Sequence, residues 1–139
     1  MSNIIESIRN FIAKCPLLEN GTVGVDYIGV NMRYSLDPLP CDPVIQPYKD
    51  GGAKKQYQFA FTSKEEYDED KRVTIDNSEF LQSFEEWLEL QNMNGTFPEL
   101  PERKTAYKFE TLNKGYLFDI DGNKAKYRIE CRLLYTQEV

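Results

Sequence analysis

Side chains that commonly make or break bonds are sparse in this chain, and histidine is absent altogether. That removes every mechanism in which an imidazole activates a serine or cysteine, and every metal site built on histidine. The three cysteines, Cys15, Cys41 and Cys131, are an odd set at spacings that fit no metal motif. They read as reduced thiols of a cytosolic protein, Cys131 as a small core residue. No glycine-rich phosphate cradle occurs. Carboxylates remain. Asp119, Asp121, Asn123 and Glu130 fall at positions 1, 3, 5 and 12 of a calcium loop. Position 6, where the sharp turn needs glycine, is Lys124, and the flanks alternate as strands rather than helices. Residues 63–72, Ser-Lys-Glu-Glu-Tyr-Asp-Glu-Asp-Lys-Arg, hold acids at no fixed spacing. A solvated loop explains them more simply than a cation site. The residues therefore predict a non-enzymatic protein with no catalytic, cofactor-binding or metal-binding side chain. An enzyme working through carboxylate, lysine or tyrosine is the weaker alternative, and it would show a deep pocket with buried carboxylates.

The elements that would carry any site follow from periodicity. Ala125 to Tyr135 alternates strictly, with Ala125, Tyr127, Ile129, Cys131, Leu133 and Tyr135 on one face. Lys126, Arg128, Glu130, Arg132 and Leu134 make the other. A strand about twice the usual length should back most of a domain. Its apolar face predicts covering helices, and its charged face a solvent or intersubunit surface. The turn Asp121-Gly122 predicts a hairpin pairing Ile120 with Asn123, Phe118 with Ala125 and Tyr116 with Tyr127. Uninterrupted, that register would set Glu110 opposite Leu133, while Tyr107, Phe109 and Thr111 are the residues that belong on one face. A break or bulge at Asn113-Lys114-Gly115 is therefore expected, because one slipped residue exchanges the faces.

Two amphipathic helices supply the cover. Ile4, Ile5, Ile8, Phe11 and Ile12 form one stripe, with Ser2 as cap and Pro16 as stop. That helix could lie on a membrane, but its polar face is mixed in charge, so packing on the sheet is the simpler reading. The second helix begins at an Asp76/Glu79 capping box, presents Phe80, Leu81, Phe84, Trp87 and Leu88, and stops at Asn94-Gly95. Trp87 reads as core rather than as a ligand platform. Asn20-Gly21 and Asn94-Gly95 mark turns, and Thr96 to Pro101 a loop. A strand is expected at about 28–36, with 23–27 ambiguous because its alternation is out of phase. Pro38, Pro40 and Pro43 mark a linker or edge. Val44 to Lys49, Asp50-Gly51-Gly52 and the alternating Tyr57, Phe59 and Phe61 predict a hairpin whose proline-bearing arm lies at an edge. That arm either pairs with a neighbouring subunit or is a protected edge. The fold class is α+β: a single antiparallel-rich sheet with two amphipathic helices on one face, in one domain spanning residues 1–139. A net charge of −6 and a pI near 4.8 disfavour general nucleic-acid binding. No long apolar run opens the chain, so no signal peptide or membrane span is expected.

Several stretches together carry a family likeness. They are Ile8-Arg9-Asn10-Phe11-Ile12 with Cys15-Pro16-Leu17, Tyr34-Ser35-Leu36-Asp37-Pro38, and Tyr57-Gln58-Phe59-Ala60-Phe61. Phe84-Glu85-Glu86-Trp87-Leu88 with Pro98-Glu99-Leu100-Pro101 continues it, and Gly115-Tyr116-Leu117-Phe118-Asp119 with Cys131-Arg132-Leu133-Leu134-Tyr135 completes it. In this order the chain resembles small virion proteins of tailed phages and prophages of Gram-positive bacteria, minor capsid proteins that look like tail terminators. The resemblance implies a homo-oligomeric ring, commonly hexameric, that caps the tail tube and joins it to the head. Its implied partners are a tail tube protein and a head-completion protein. DNA would pass an acidic lumen without specific binding, in a virion assembled in the host cytoplasm. No cofactor is implied. A head-to-tail ring needs two different complementary patches per subunit. The expected interface residues are Gln46, Tyr48, Lys49, Asp50, Lys54 and Lys55 on the hairpin, with Glu66, Tyr67, Asp70 and Arg72 in the charged stretch. A monomeric prophage-encoded binding module is the competing reading, and it predicts one contiguous patch without ring-forming complementarity.

Overall fold

A computed structural model describes residues 4–18, 23–25, 34–66, 71–121 and 124–138. The elements in order are α1 (Ile4–Ile12), β1 (Val23–Val25), β2 (Tyr34–Pro38), β3 (Val44–Pro47), β4 (Ala53–Glu66), α2 (Lys71–Asn94), β5 (Lys104–Thr111), β6 (Tyr116–Asp121) and β7 (Lys124–Gln137). The architecture is α+β, one open sheet with two helices packed against it. Its backbone is the antiparallel β4–β7 ribbon, paired without a slip from Ala53↔Gln137 to Glu66↔Lys124. β2 and β3 line the free side of β4, while β5 and β6 line the free side of β7. β1 joins β2 in parallel, the exception in an otherwise antiparallel sheet. The long alternation expected from Ala125 is thus the middle of a longer strand.

Period-two patterning places the core. Phe59 stands opposite Cys131 and Phe61 opposite Ile129, and all four are fully buried. Both helices cover this face. Ile5, Ile8, Phe11 and Ile12 of α1 are buried, as are Leu81, Phe84 and Leu88 of α2. Each such side chain contributes about 1.5–3 kcal/mol by leaving water. The rings interlock: Phe84 stacks on Phe61 at 4.3 Å, Tyr34 lies 5.7 Å from Phe61, and Phe11 lies 5.6 Å from Phe109. Ring pairs of this kind add about 0.5–1.5 kcal/mol beyond area.

The proline-rich stretch, the hairpin and the loop after α2 lie where expected. Ser2, Pro16 and the 28–36 strand fare unevenly. Ser2 is outside the described residues, and α1 ends at Ile12, with turns carrying the chain to Leu18. Residues 28–33 also fall outside, and the described strand runs on from Tyr34 to Pro38.

Three expectations need correction. Residues 63–72 are not one loop: Ser63 to Glu66 finish β4, and Lys71 and Arg72 open α2. Backbone pairing with β7 overrides the charge of that stretch. Ser63 is buried opposite Tyr127, and the backbone pairing continues to Glu66 opposite Lys124. The capping box at Asp76 is likewise not the helix start, since Asp76 lies within α2. Acids precede Lys71 in sequence and suit a helix N-terminus through its dipole. Finally, the β6–β7 register differs from the expected one, by two residues beside the turn and by one beyond a bulge. Asp121 pairs with Lys124, Ile120 with Ala125, Leu117 with Tyr127 and Tyr116 with Arg128, with a bulge between Leu117 and Asp119. The strands are therefore paired up to Asp121 and Lys124, and residues 122–123 lie outside the described residues.

The break near Gly115 is present. Phe109 stands opposite Leu133 and Glu110 opposite Arg132, so Glu110 stays off the apolar face. A further bulge between Ala106 and Lys108 was not legible in advance. It puts Ala106 in the core, while half-buried Tyr107 lies under Lys54, its ring centroid 5.9 Å from Nζ. At the break, Gly115 lies directly on α2: a Cβ there would come within 2.4 Å of Leu81 Cδ1. Gly115→Ala should therefore cost about 1–3 kcal/mol by overpacking. Its urea midpoint should fall while the m-value is unchanged, and an unaltered midpoint would show that α2 is not seated on this break.

Candidate functional site

The eight expected interface residues that are described divide between the two ends of β4. At one end is the β3–β4 hairpin. Gln46, Lys49 and Asp50 are exposed, Tyr48 is 39 % exposed, and Lys54 and Lys55 are half-buried at the start of β4. Val44 and Ile45 add exposed apolar surface that the charge-centred reading passed over. They follow one another because β3 shifts register between Val44 and Gln46, so both reach solvent. The turn is locally fixed: Tyr48 N–H donates to Gly52 C=O at 2.8 Å, and Gly52 N–H donates to Asp50 Oδ1 at 2.9 Å. A Cβ on Gly52 would meet Gln137 C=O at 2.6 Å, so the hairpin lies close against the end of β7. At the other end, Glu66 closes β4 and Arg72 lies in the first turn of α2. Tyr67 and Asp70 fall outside the described residues. At the usual strand rise the length of β4 separates the two ends by about 40 Å. The structure thus does not bring these residues together as one patch.

The sheet edges show which contacts the hairpin can make. Along β3, Pro43 and Pro47 lack an N–H, and Val44 N–H is taken by Asp42 Oδ1 at 3.0 Å. This is the protected-edge alternative, since a neighbouring strand would find few donors. Contact there would go through side chains. The β5 edge is covered differently. Asn92 of α2 donates from Nδ2 to Phe109 C=O at 2.7 Å and accepts from Phe109 N–H at 2.8 Å through Oδ1. The amide stands in for a missing strand, and Thr111 Oγ1 donates to Glu85 Oε1 at 3.1 Å beside it.

The charged face of β7 is knit rather than bare. Lys126, Arg128, Glu130 and Arg132 are all half-buried. Arg132 reaches Gln56 Oε1 at 3.1 Å from Nη1 and Glu110 Oε1 at 3.0 Å from Nη2. Thr62 Oγ1 donates to Asp37 Oδ2 at 3.2 Å. The calcium-like spacing lies across the β6–β7 hairpin, where a two-residue connection replaces the twelve-residue wrap such a loop requires. Among the described residues no three acids or thiols converge as a metal site, and no helix is long and apolar enough to cross a membrane.

Two hollows flank α2. A groove of about 420 Å3 between α2 and the β5–β6 connection carries Glu85, Glu86, Glu89 and Lys114. Glu86 and Glu89 are exposed and Glu85 half-buried, and among the described residues the buried polar side chains are Ser35, Thr62 and Ser63. The carboxylates of this groove are thus exposed or half-buried. A second cleft of about 640 Å3 lies between α1, α2 and the loop after α2. Trp87 is in its wall, half-buried at the margin of the core instead of within it. Sequence periodicity marked the face Trp87 shares with Phe84 and Leu88 but not where the cover of α1 stops.

The thiols separate by burial. Cys15 and Cys131 are buried, and loss of hydration pushes both thiols upward; the charges of Glu85 and Glu130 add to the rise at Cys131. Burial likewise raises the Tyr135 phenol, with a smaller contribution from the nearby Cys41. No protein-family model matches the chain, and no curated protein matches it in sequence.

Two outcomes follow from this geometry. Because only a thiolate attacks a disulfide reagent, a raised and buried thiol is doubly protected. Native protein at pH 8 should therefore react rapidly with Ellman's reagent at Cys41 alone and at all three cysteines once unfolded. Rapid reaction of a second thiol would contradict the described core. Asn92→Ala should leave the Phe109 amide and carbonyl without their protein partner, costing about 1–3 kcal/mol. Hydrogen exchange at Phe109 should accelerate with it, and an unchanged rate would show that Asn92 does not cover this edge.

Proposed function

We propose that the chain is a structural subunit that assembles head to tail into a ring, in the manner of the tail-terminator proteins it resembles. The observation that supports this is the separation of its two candidate contact patches to opposite ends of one unbroken ribbon. A closed ring of identical subunits uses heterologous contacts, so each copy must present two different surfaces facing different ways. The hairpin end offers Lys49, Lys54 and Lys55 with Val44, Ile45 and Tyr48 exposed or half-exposed beside them. The far end leads into a sequence of five acids in six residues, 65–70. Opposite charge would steer one end of a copy toward the other end of its neighbour, and apolar contact would hold it there. In this reading the tail tube and a head-completion protein dock on the two rims. DNA passes without specific binding, and the ring belongs to the virion.

A reciprocal charge exchange tests the contact. Wild-type protein should form rings in a concentration-dependent way by sedimentation velocity and negative-stain microscopy. K54E/K55E and E65K/E66K should each weaken assembly at least about tenfold, or ~1.4 kcal/mol. Combining the exchanges should recover most of that loss. A protein that stays monomeric at high concentration, with tail assembly intact after deletion of residues 46–55, would instead favour the monomeric binding module.

A further inference from the structure

The lone tryptophan of the chain stands in the wall of the larger cleft. With Phe11 and Phe97 it makes an aromatic floor held from beneath. Phe11 lies 5.6 Å from Trp87 and 5.6 Å from Phe109, Phe97 lies 6.3 Å from Phe109, and Trp87 stacks on Phe84 at 6.2 Å. Such a floor is preorganised, so a ligand would not have to order it. The walls above are polar. Gln91 follows Trp87 by one helical turn, and Asn10 of α1 and Lys14 of the turn after it line the facing side. Thr96 and Glu99 close the end. Among the described residues the side chains of Lys14, Gln91, Thr96 and Glu99 make no hydrogen bond or ion pair.

This combination selects a ligand class. The polar walls do not suit a wholly apolar molecule. Lys14 and Glu99 offset one another, so the cleft favours neither an anion nor a cation. The overall charge of −6 opposes nucleic acid. What fits is a neutral molecule with a flat C–H face for the aromatic floor and hydroxyls around its edge. The volume of about 640 Å3 lies within the range of small-ligand sites. We propose that this cleft binds a short neutral oligosaccharide, one pyranose face packed on Trp87 and its hydroxyls bonded to Gln91, Thr96 and Asn10. The site shares no residue with the β3–β4 hairpin and does not depend on ring assembly.

Trp87 makes the test direct, because all tryptophan fluorescence arises in this cleft. Full-length protein is titrated with chitotriose, with maltotriose and with a proline-rich decapeptide. The expected result is a saturable emission change with at least one trisaccharide, half-complete between about 0.1 and 10 mM. Gln91→Ala and Thr96→Val should each weaken it at least about fivefold without changing the melting temperature, while K54E/K55E should leave it unchanged. The proposal is overturned by no saturable response to either sugar, by an undiminished response in both cleft variants, or by saturation with the peptide alone.

Discussion

The unbroken pairing of β4 with β7 is the constraint to which the rest of the chain conforms. Over fourteen pairs neither strand slips, so the two alternating patterns stay in phase from end to end. A single slipped residue anywhere in the ribbon would turn every following core side chain toward the polar face. The irregularities are therefore displaced to the flanking strands: β3, β5 and β6 each shift register against the ribbon. These strands are short and carry fewer core residues, so a bulge costs less there. It also has a use in each. In β5 the bulge lets Ala106 and Phe109 both face inward, and in β3 it brings Val44 and Ile45 outward together.

Rigidity of the ribbon also decides how the edges are finished. A sheet this open must protect its outer backbone groups or invite aggregation. β5 borrows an amide from α2 through Asn92, so the helix that covers the core also closes the edge. β3, with no helix beside it among the described contacts, relies on Pro43, Pro47 and the Asp42 cap. The same economy appears at Gly115, where the absence of a side chain lets the register break and the seating of Leu81 occupy one place.

Much of this was legible from the residues because burial in the ribbon imposes a strict period. The terminal strand, the Tyr57-Phe59-Phe61 face, both helix stripes and the need for a break before Tyr116 all follow from that period. Charge misled where backbone pairing outweighed it. Lys64, Glu65 and Glu66 look like loop but are strand, because their backbone pairs with β7. Asp76 and Glu79 match a cap by spacing, yet spacing cannot tell a helix start from a helix interior with the same residues. The bulges at Tyr107 and Phe118 left no glycine or proline to mark them. Of the candidate interface residues, the sequence located the hairpin group by excess charge and proline. The exposure of Val44 and Ile45 beside them was not readable from charge, because it depends on the β3 shift.

The position of Trp87 joins these points. A stripe of Phe84, Trp87, Leu88 and Gln91 on one helix would ordinarily be closed by whatever packs on it. Here α1 is only nine residues long and approaches through Phe11, which covers one side of Trp87 and leaves the cleft beyond it open. A longer α1, or a larger residue at Asn10, would have sealed the cleft and completed the core. The opening costs part of the burial that a tryptophan can contribute, while its floor stays fixed by rings anchored on Phe109. That residue is in turn held by Leu133 across the sheet and by Asn92 from the helix. The cleft therefore inherits its rigidity from the ribbon through Phe109, a β5 residue that meets Phe11 of α1 and Asn92 of α2.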